Sequence, residues 1–489
     1  MRPLPSTLEP KALMNSAIHA LMPSAGSGRV TASTPADYVL PQADDAQRRL
    51  ARAWLWLALA ALAGSGLFSI LLVLARTPGV NAFLPAGDFF RIALVVHVDL
   101  SVLVWFVAIA GMLWSLNQRA AAPFERLPLW LCAAGAAMMA LAAFVDPGQA
   151  VMANYIPMLD STMFRAAVAV FGLGTLALVV QGLWRPRAVG LLLDGAGALR
   201  FGLHASVVAT AVALLAFGWS LAVVPGELPA KAYYEILYWG GGHALQFTWT
   251  LLMLVGWLVL AQASGLRVPL SPRVVLLLFV VALASVFVTP LAYLMHEVST
   301  VEHRDMHTWA MRFGGGVAIA PLVLAVAVAL LRPVPAGSAD KPLRAALLSS
   351  MLLFSAGGLI GLTIQGSNVK IPAHYHGCIV GVTLALMGLV FHLMPRLGWS
   401  AVKGRAAVLQ PWLYGLGQLM HIVGLVWSGG YGVQRKVAGS EQVLRSTAEV
   451  AGMGLMGLGG LLAIGGGLLF VVVVVRSMRV PAAATEGNR

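Results

Sequence analysis

Long apolar runs separated by short polar linkers dominate the pattern of the chain. Each run has about 20 or more residues with few charges, which is the length that an α-helix needs to cross a bilayer. Because backbone groups in lipid must be hydrogen-bonded within the segment, such runs indicate helices and not barrel strands. The pattern predicts an all-α integral membrane protein with twelve transmembrane helices, numbered here as spans 1 to 12, at residues 52–76, 90–116, 126–146, 163–184, 199–224, 234–264, 273–297, 306–332, 343–365, 373–399, 407–429 and 449–476.

Polar segments flank the predicted spans. Residues 1–46 are rich in Ser, Ala and Pro and lack the short apolar core of a signal peptide, so we expect a disordered cytoplasmic tail. Residues 47–480 are predicted to form a single membrane domain, and residues 481–489 a second cytoplasmic tail.

Composition supports lipid as the solvent of the chain. Of the 489 residues, 59% are hydrophobic and only 10% are charged, and no soluble domain of this size can hide so much apolar surface. The formal net charge of +13 would suggest a nucleic-acid partner in a soluble protein, whereas here it indicates basic loops on one membrane face and no nucleic acid. The two cysteines, Cys132 and Cys378, lie in apolar spans and exclude a disulfide framework or a zinc cluster.

Basic residues determine the predicted orientation. Arginine and lysine precede span 1, occupy the linkers after spans 2, 4, 6, 8 and 10, and follow span 12, whereas the other linkers are richer in acidic residues. Because basic loops stay on the cytoplasmic side, both termini should be cytoplasmic. We expect a multi-pass protein of a bacterial cytoplasmic (inner) membrane.

Five histidines fall at one depth of this topology. Spans 2, 6 and 10 run inward and carry His97, His243 and the pair His374/His376 in their outer parts, while span 7 runs outward and ends at His296. Two residues on an α-helix span about 200°, so the paired histidines project from nearly opposite faces of span 10. Ionisable groups at this depth are costly and usually functional. The pattern predicts a buried metal or cofactor layer in the outer third of the membrane.

Three motifs carry a resemblance to a known family. The chain resembles subunit I of the haem–copper oxidase superfamily, the catalytic subunit of terminal oxidases and nitric oxide reductases, as a divergent member. The likeness covers nearly all of residues 50–476 in span count and order. It is most specific in HYHGCIVGVTLALMGLVFHLMP, then in YWGGGHALQFTWT, then in HVDLSVLVWF. It implies a twelve-helix bundle that binds two haems and one copper or non-haem iron.

The resemblance also implies roles for individual histidines. His97 and His376 would be the axial ligands of a low-spin haem, and His374 the proximal ligand of a high-spin haem with an open distal face. His243 would bind the second metal opposite that open face. Two axial ligands make an electron relay that binds no gas, whereas one ligand and an empty position make a reactive site.

A basic pair near the outer end of span 11 resembles the family's segment for haem propionates. In GGYGVQRK, Arg435 and Lys436 would hold those carboxylates, which need cations when buried. An ordinary solvated loop is the alternative interpretation.

The end of span 7 departs from the family pattern. Most members carry adjacent histidines there, whereas this chain has Met295 followed by His296. A third ligand for the second metal would come from Met295, Glu297, His303 or water, and a thioether would favour cuprous copper and a carboxylate iron. We expect His303 and His307 to be surface histidines of a loop or helix start.

The tyrosine that oxygen reductases of this family cross-link to a metal-binding histidine is also missing. Its usual positions are occupied by Phe247 on span 6 and by the Thr289–Pro290 region on span 7. Since the coupling of two NO molecules needs no such residue, the absence favours nitric oxide reduction, or a divergent oxidase whose radical residue has moved.

Two carboxylates are candidate catalytic residues beside the second metal. Glu235 lies about two turns before His243, and Glu297 adjoins His296. Either would serve a non-haem iron or relay protons from the outer side, while a helix-start carboxylate stabilised by the dipole is the alternative for Glu235.

The sequence therefore favours an oxidoreductase that passes electrons through a low-spin haem to a high-spin haem and second metal, reducing nitric oxide to nitrous oxide. An oxygen-reducing cytochrome oxidase is the first alternative, and a non-catalytic haem membrane protein is the second. No Cys-x-x-Cys-His haem attachment motif and no cupredoxin site is present. We therefore expect an electron-donor subunit of the cytochrome c or cupredoxin type on the outer face.

Overall fold

Helices make up almost all of the structure, a computed structural model that describes residues 37–40, 42–79, 88–119, 124–190, 193–333, 340–365, 367–437 and 442–480. The described residues fall in one compact unit, Pro35–Arg489. Within them the prediction of a twelve-helix all-α membrane bundle is confirmed. Eleven of the helices are long and apolar enough to cross a membrane by length and composition. The remaining one, Arg405–Gly430, has 26 residues but carries Gln410, Gln418 and His421.

The spans begin and end within a few residues of the predicted positions, and three of them are composite. Span 2 contains a π-helix, span 7 is broken once, and span 8 contains a second π-helix. In order, the spans are Asp45–Arg76; Asp88–Val98 with Asp99–Val104 and Trp105–Asn117; Leu127–Val145; Thr162–Trp184; Gly195–Val223; Ala230–Ala263; Pro272–Val286 with Val288–Met295; Val301–Trp309 with Ala310–Gly314 and Gly315–Leu330; Lys341–Gly361; Lys370–Leu393; Arg405–Gly430; and Thr447–Met478.

Polar side chains in the linkers start many of these helices. Each accepts a hydrogen bond from a backbone N–H of the first turn, which satisfies a donor that has no partner inside the helix. Such caps explain why the apolar runs become helices at these positions. The capping residues are Asp44, Ser161, Asp194, Ser271, Thr300, Asp340 and Ser446.

Burial identifies the centre of the bundle. The most apolar 18-residue window is 89% buried in span 6, 78% in span 10 and 67% in span 2, against 33–50% in the other spanning helices of the described chain. A helix that is apolar all round and buried belongs to the interior, whereas the outer helices expose large apolar side chains to lipid. The three central spans are those that carry His97, His243, His374 and His376.

A short antiparallel hairpin covers one end of the bundle. Strand β1 (Gln149–Val151) pairs with β2 (Met158–Asp160) in the linker between spans 3 and 4. The connecting loop, residues 152–157, bends over the bundle, and Tyr155 has a positive φ of 67°. We call this the hairpin end; in the predicted orientation it is the outer face.

The last residues of the predicted N-terminal tail pack on the bundle. Tyr38 is 1% exposed, and its hydroxyl donates to the carbonyl of Leu270 at 2.8 Å. Arg396 donates to the carbonyl of Leu40 at 2.7 Å. Residues 1–36 and 481–489, on which the remaining predicted tail segments fall, lie outside the described residues.

Candidate functional site

A large cavity lies beneath the hairpin loop. Its volume is about 1690 Å³, which exceeds the roughly 300–1,000 Å³ of a pocket for one small ligand. Most of its lining is apolar, and the hairpin loop and the loop after span 11 supply polar groups. Four of the five predicted histidines, His97, His243, His374 and His376, line this one space together with His421.

His97 is fixed by its neighbours on span 1. Its Nδ1 lies 3.0 Å from the carbonyl oxygen of Ser65 and 2.9 Å from the Ser65 hydroxyl. The π-helix begins two residues later, and the hydroxyls of Ser65 and Ser101 both donate to the His97 carbonyl, at 3.1 and 2.6 Å. The two serines thus satisfy a carbonyl at the point where the helix changes its hydrogen-bonding period. With Nδ1 bound, Nε2 is the nitrogen available to a ligand.

The two histidines of span 10 leave the helix in different directions. His374 turns toward span 9, where its Nδ1 donates to the Gly357 carbonyl at 2.7 Å. Spans 9 and 10 approach closely at glycine, since a Cβ on Gly361 would lie 2.7 Å from the same Nδ1. His376 turns toward span 11, where its ring centroid lies 4.9 Å from that of His421. One helix therefore presents imidazoles to two parts of the cavity.

His243, which lines the cavity, belongs to a cluster of three imidazoles, the three-histidine cluster His243–His303–His307, whose other two rings lie outside the cavity lining. The ring centroids of His243 and His307 are 5.7 Å apart, and those of His303 and His307 are 4.7 Å apart. His303 and His307 are each 1% exposed. The expectation that they are surface histidines is therefore wrong. Thr300 caps span 8 by accepting from the His303 backbone N–H at 3.3 Å, and this helix start carries both rings against span 6.

The residues expected at the end of span 7 lie elsewhere. His296 follows the last helical turn in an extended conformation, and no ring contact within the described residues joins it to His243. Met295 is 59% exposed, and Glu297 is exposed as well. The structure therefore places His296 beside His303, at the edge of the cluster, with no ring contact to His243 among the described residues, and it leaves Glu297 exposed. The reason is local: the chain turns outward after Met295 and re-enters at the capped start of span 8.

Two tyrosines flank the three-histidine cluster. The phenol oxygen of Tyr155 lies 3.0 Å from both ring nitrogens of His243. A Cβ on Gly242 would collide with the Tyr155 ring, so the glycine makes room for this contact. Burial, with Glu235 nearby, raises the pKa of Tyr155, so the phenol stays protonated. Tyr293 packs edge-on against His303, with centroids 4.6 Å apart, while its hydroxyl lies 2.6 Å from that of Ser220.

Glu235 lies in a polar network with Asn154 instead of beside the second-metal position. Asn154 donates from its backbone to Glu235 at 3.0 Å and also from its side-chain amide. Arg435 donates to Asn154 Oδ1 and to the Tyr375 hydroxyl, both at 3.4 Å. The predicted catalytic carboxylate therefore ties the hairpin loop to the rim of the cavity.

Arg435 and Lys436 both line the cavity rim. Lys436 donates to the Met152 carbonyl at 2.6 Å and has a positive φ of 62°. Burial, followed by the neighbouring Arg435, lowers the pKa of Lys436 to about 8. These two adjacent cations face one nearby carboxylate, Glu235, so a further anionic group in the cavity would be attracted to them.

The three-histidine cluster has the donor chemistry of a metal site, but its rings do not stand in ligating geometry. His303 Nδ1 and His307 Nε2 are buried without a hydrogen-bond partner, which is unusual for buried polar atoms. Across the described residues, no three His, Cys, Asp or Glu side chains stand in ligating geometry. The rings would therefore have to turn to bind one ion together.

Comparison with known proteins agrees with this architecture. The sequence profile of the family described as "Cytochrome C and Quinol oxidase polypeptide I" matches residues 49–462. Uncharacterised proteins of Rickettsia prowazekii and Aquifex aeolicus are each 28% identical; the alignments cover 88% and 72% of this chain and 96% and 86% of the relatives. Cytochrome c oxidase subunit 1 of Thermus thermophilus is 24% identical over 66% of this chain and 63% of that protein.

A solved haem–copper terminal oxidase dimer has a chain of similar fold. The TM-score is 0.69 at 15% identity, and the match covers 91% of this chain and 86% of that one. The profile match spans most of the chain. The chain thus belongs to the cytochrome c and quinol oxidase polypeptide I family, the catalytic-subunit family of haem–copper membrane oxidoreductases.

Proposed function

We propose that the chain is the catalytic subunit of a respiratory complex that reduces a diatomic gas at a high-spin haem and a second metal. The observation that carries this proposal is the lining of one cavity by His97, His243, His374 and His376. Three of these rings anchor Nδ1 on a backbone carbonyl. This leaves Nε2 of His97 and His374 for iron, while the Tyr155 phenol oxygen, 3.0 Å from Nε2 of His243, would have to move for a metal to bind there. When bound, the haems and second metal supply electron storage and the gas-binding position.

Each ring then has one role. His97 and His376 hold the low-spin haem between spans 2 and 10, and His374 holds the high-spin haem on the span 9 side. His243, His303 and His307 hold the second metal, so the last two replace the ligands that the sequence suggested at the end of span 7. Neutral imidazoles suit all of these positions.

Arg435 and Lys436 are proposed to pair with haem propionates. Their position at the cavity rim supports this role, and a buried anion would stabilise the charged form of Lys436, whose pKa is lowered to about 8. The network through Asn154 and Glu235 holds the same rim and lies outside the metal-binding set.

Dioxygen is the substrate that the geometry supports best. Three imidazoles favour copper over non-haem iron as the second metal, since Glu235, the carboxylate predicted to serve an iron, is bonded to Asn154 instead. Tyr155 also supplies a buried phenol at His243, where oxygen reductases of the family use a tyrosine. Nitric oxide is the second candidate, favoured by Phe247 at the span 6 position where one branch of the oxygen reductases has its tyrosine.

Metal analysis and gas assays test the substrate. We expect two haems and one copper per chain, and consumption of O₂ faster than of NO under a common reductant. The assay uses the complex purified from its native membrane, with cyanide-inhibited samples as controls. Two haems with one extra iron, together with faster NO consumption, would support nitric oxide reduction instead. Two haems with no further metal would leave only the non-catalytic alternative.

Replacing Tyr155 with phenylalanine tests the role of the phenol. The variant keeps the ring that packs on Gly242 and Trp239 but loses the hydrogen bond to His243. If the chain reduces dioxygen, we expect its turnover to fall by about 10²-fold or more, the range of a lost proton-donating group, with metal content unchanged. Tyr293→Phe is the matched control, since its hydroxyl bonds to Ser220 and not to an imidazole. Undiminished O₂ reduction by Tyr155→Phe would exclude this role.

The electron donor is proposed to dock at the hairpin end. The low-spin haem ligands lie toward that end, and a cytochrome c or cupredoxin-type subunit there would deliver electrons over the shortest path.

With the hairpin end on the outer face, both termini lie in the cytoplasm of a bacterial cell, as the basic linkers indicate.

A further inference from the structure

The histidines at the cavity share one anchoring pattern, and His376 departs from it. Backbone carbonyls lie within 3.0 Å of Nδ1 in five other rings at or beside the cavity, whereas Nδ1 of His303, outside the cavity lining, has no partner within the described chain. These rings are His97, His243, His307, His374 and His421. In the described residues, no backbone carbonyl bonds to the ring of His376, and the side chain of Gln418 is the polar amide next to it.

Span 11 presents a polar stripe to this ring. Tyr414, Gln418 and His421 follow at intervals of four and three residues, so they lie on one helix face, and all three line the cavity. Gln418 Oε1 is buried and has no hydrogen-bond partner of standard geometry. A buried acceptor without a donor is costly, and a ligand imidazole with a free N–H needs an acceptor.

His421 is held firmly on the other side of the same ring. Its Nδ1 donates to the Met456 carbonyl at 3.0 Å. The glycine at position 460 lets span 12 approach this ring, since a Cβ there would lie 3.2 Å from the same nitrogen. The ring planes of His376 and His421 meet at 53° with centroids 4.9 Å apart. A fixed ring at this distance restricts rotation of His376 about its own axis.

We propose that Gln418 and His421 are positioning residues for the second axial ligand of the low-spin haem: Gln418 Oε1 accepts the Nδ1 hydrogen of His376, and His421 fixes its ring plane. This inference rests on the proposed function. An acceptor on Nδ1 makes the ligand more basic and stabilises the ferric state, so the side chain of Gln418 keeps the reduction potential of this haem low. The amide is uncharged, and it can do so without placing another charge in the membrane.

A spectroelectrochemical titration of the purified complex tests the hydrogen bond. Gln418→Leu should raise the midpoint potential of the low-spin haem, because the acceptor that stabilises the ferric state is lost. A tenfold change in the ferric-to-ferrous ratio corresponds to a shift of about 59 mV for one electron. Gln418→Glu, which keeps an acceptor of the same shape, should leave the potential at or below that of the unmodified chain. Gln410→Leu is the matched control, since Gln410 is a buried glutamine of the same span that bonds to Gly466 and does not line the cavity.

Electron paramagnetic resonance of the ferric low-spin haem tests the ring plane. His421→Leu should change the anisotropy of the signal, and His421→Phe, which keeps a flat ring, should change it less. A potential in Gln418→Leu equal to that of the control, or identical signals in both His421 variants and the unmodified chain, would overturn the inference. Absence of a low-spin haem from the unmodified complex would instead contradict the proposed function itself.

Discussion

Replacing His374 with alanine is expected to abolish gas reduction while the low-spin haem spectrum remains. The imidazole is proposed as the single protein ligand of the high-spin haem, and its Nδ1 bond to the Gly357 carbonyl presets the ring. Loss of a direct ligand should lower turnover by more than the 10–100-fold that outer-shell changes cause. The measurements are O₂ and NO consumption, and the carbon monoxide difference spectrum of the reduced complex, which reports a haem with an open position.

His392→Ala is the matched control for this experiment. His392 lies on the same span, and it does not line the cavity. It should retain both the carbon monoxide signal and turnover. Persistent turnover in His374→Ala would show that the high-spin haem is held elsewhere or is absent. Loss of the low-spin signal in the same variant would mean that the roles of His374 and His376 are exchanged.

The spans and their central histidines follow from regularities that a sequence displays directly. Apolar runs of membrane length fix the helices, and counting along them sets the depth of each polar residue. His97, His243, His374 and His376 are therefore assigned to one layer from the sequence, and all four line one cavity. The depth of a residue on a long helix depends only on helical rise, which tertiary packing changes little.

The rest of the metal site depends on turns, which carry no such regularity. The sequence places the polar linker before span 8 at residues 298–305, yet Thr300 already caps a helix whose first turns bury His303 and His307. A capping residue followed by two histidines four apart was the available signal, since i and i+4 share a helix face. This signal is weak, because helix starts whose histidines face solvent show the same spacing.

No comparable pattern in the sequence predicts that Tyr155 contacts His243. It occupies a hairpin loop with a positive φ, and its contact with His243 crosses 88 residues of sequence. Neither periodicity nor motif spacing predicts where such a loop folds back. Gln418 and His421 are intermediate cases, because their shared helix face is visible in the sequence but their partner on span 10 is not.

Alanine at His303 or at His307 is expected to remove the second metal, and this is the sharpest test of the revised ligand set. Both rings are fully buried against His243, and their unpartnered nitrogens indicate a donor set that a metal would complete. Each variant should retain both haems and lose the second metal and gas turnover. The measurements are metal content per haem and the haem spectra of the same preparation.

His296→Ala separates this assignment from the one that the span 7 sequence suggested. His296 stands at the family position but makes no ring contact with His243 within the described chain, so its removal should leave the second metal in place. The opposite result, with metal lost from His296→Ala and kept in His307→Ala, would restore the end of span 7 as the ligand source. The comparison is decisive because the three histidines lie within 12 residues of each other and differ mainly in burial and in which ring they face.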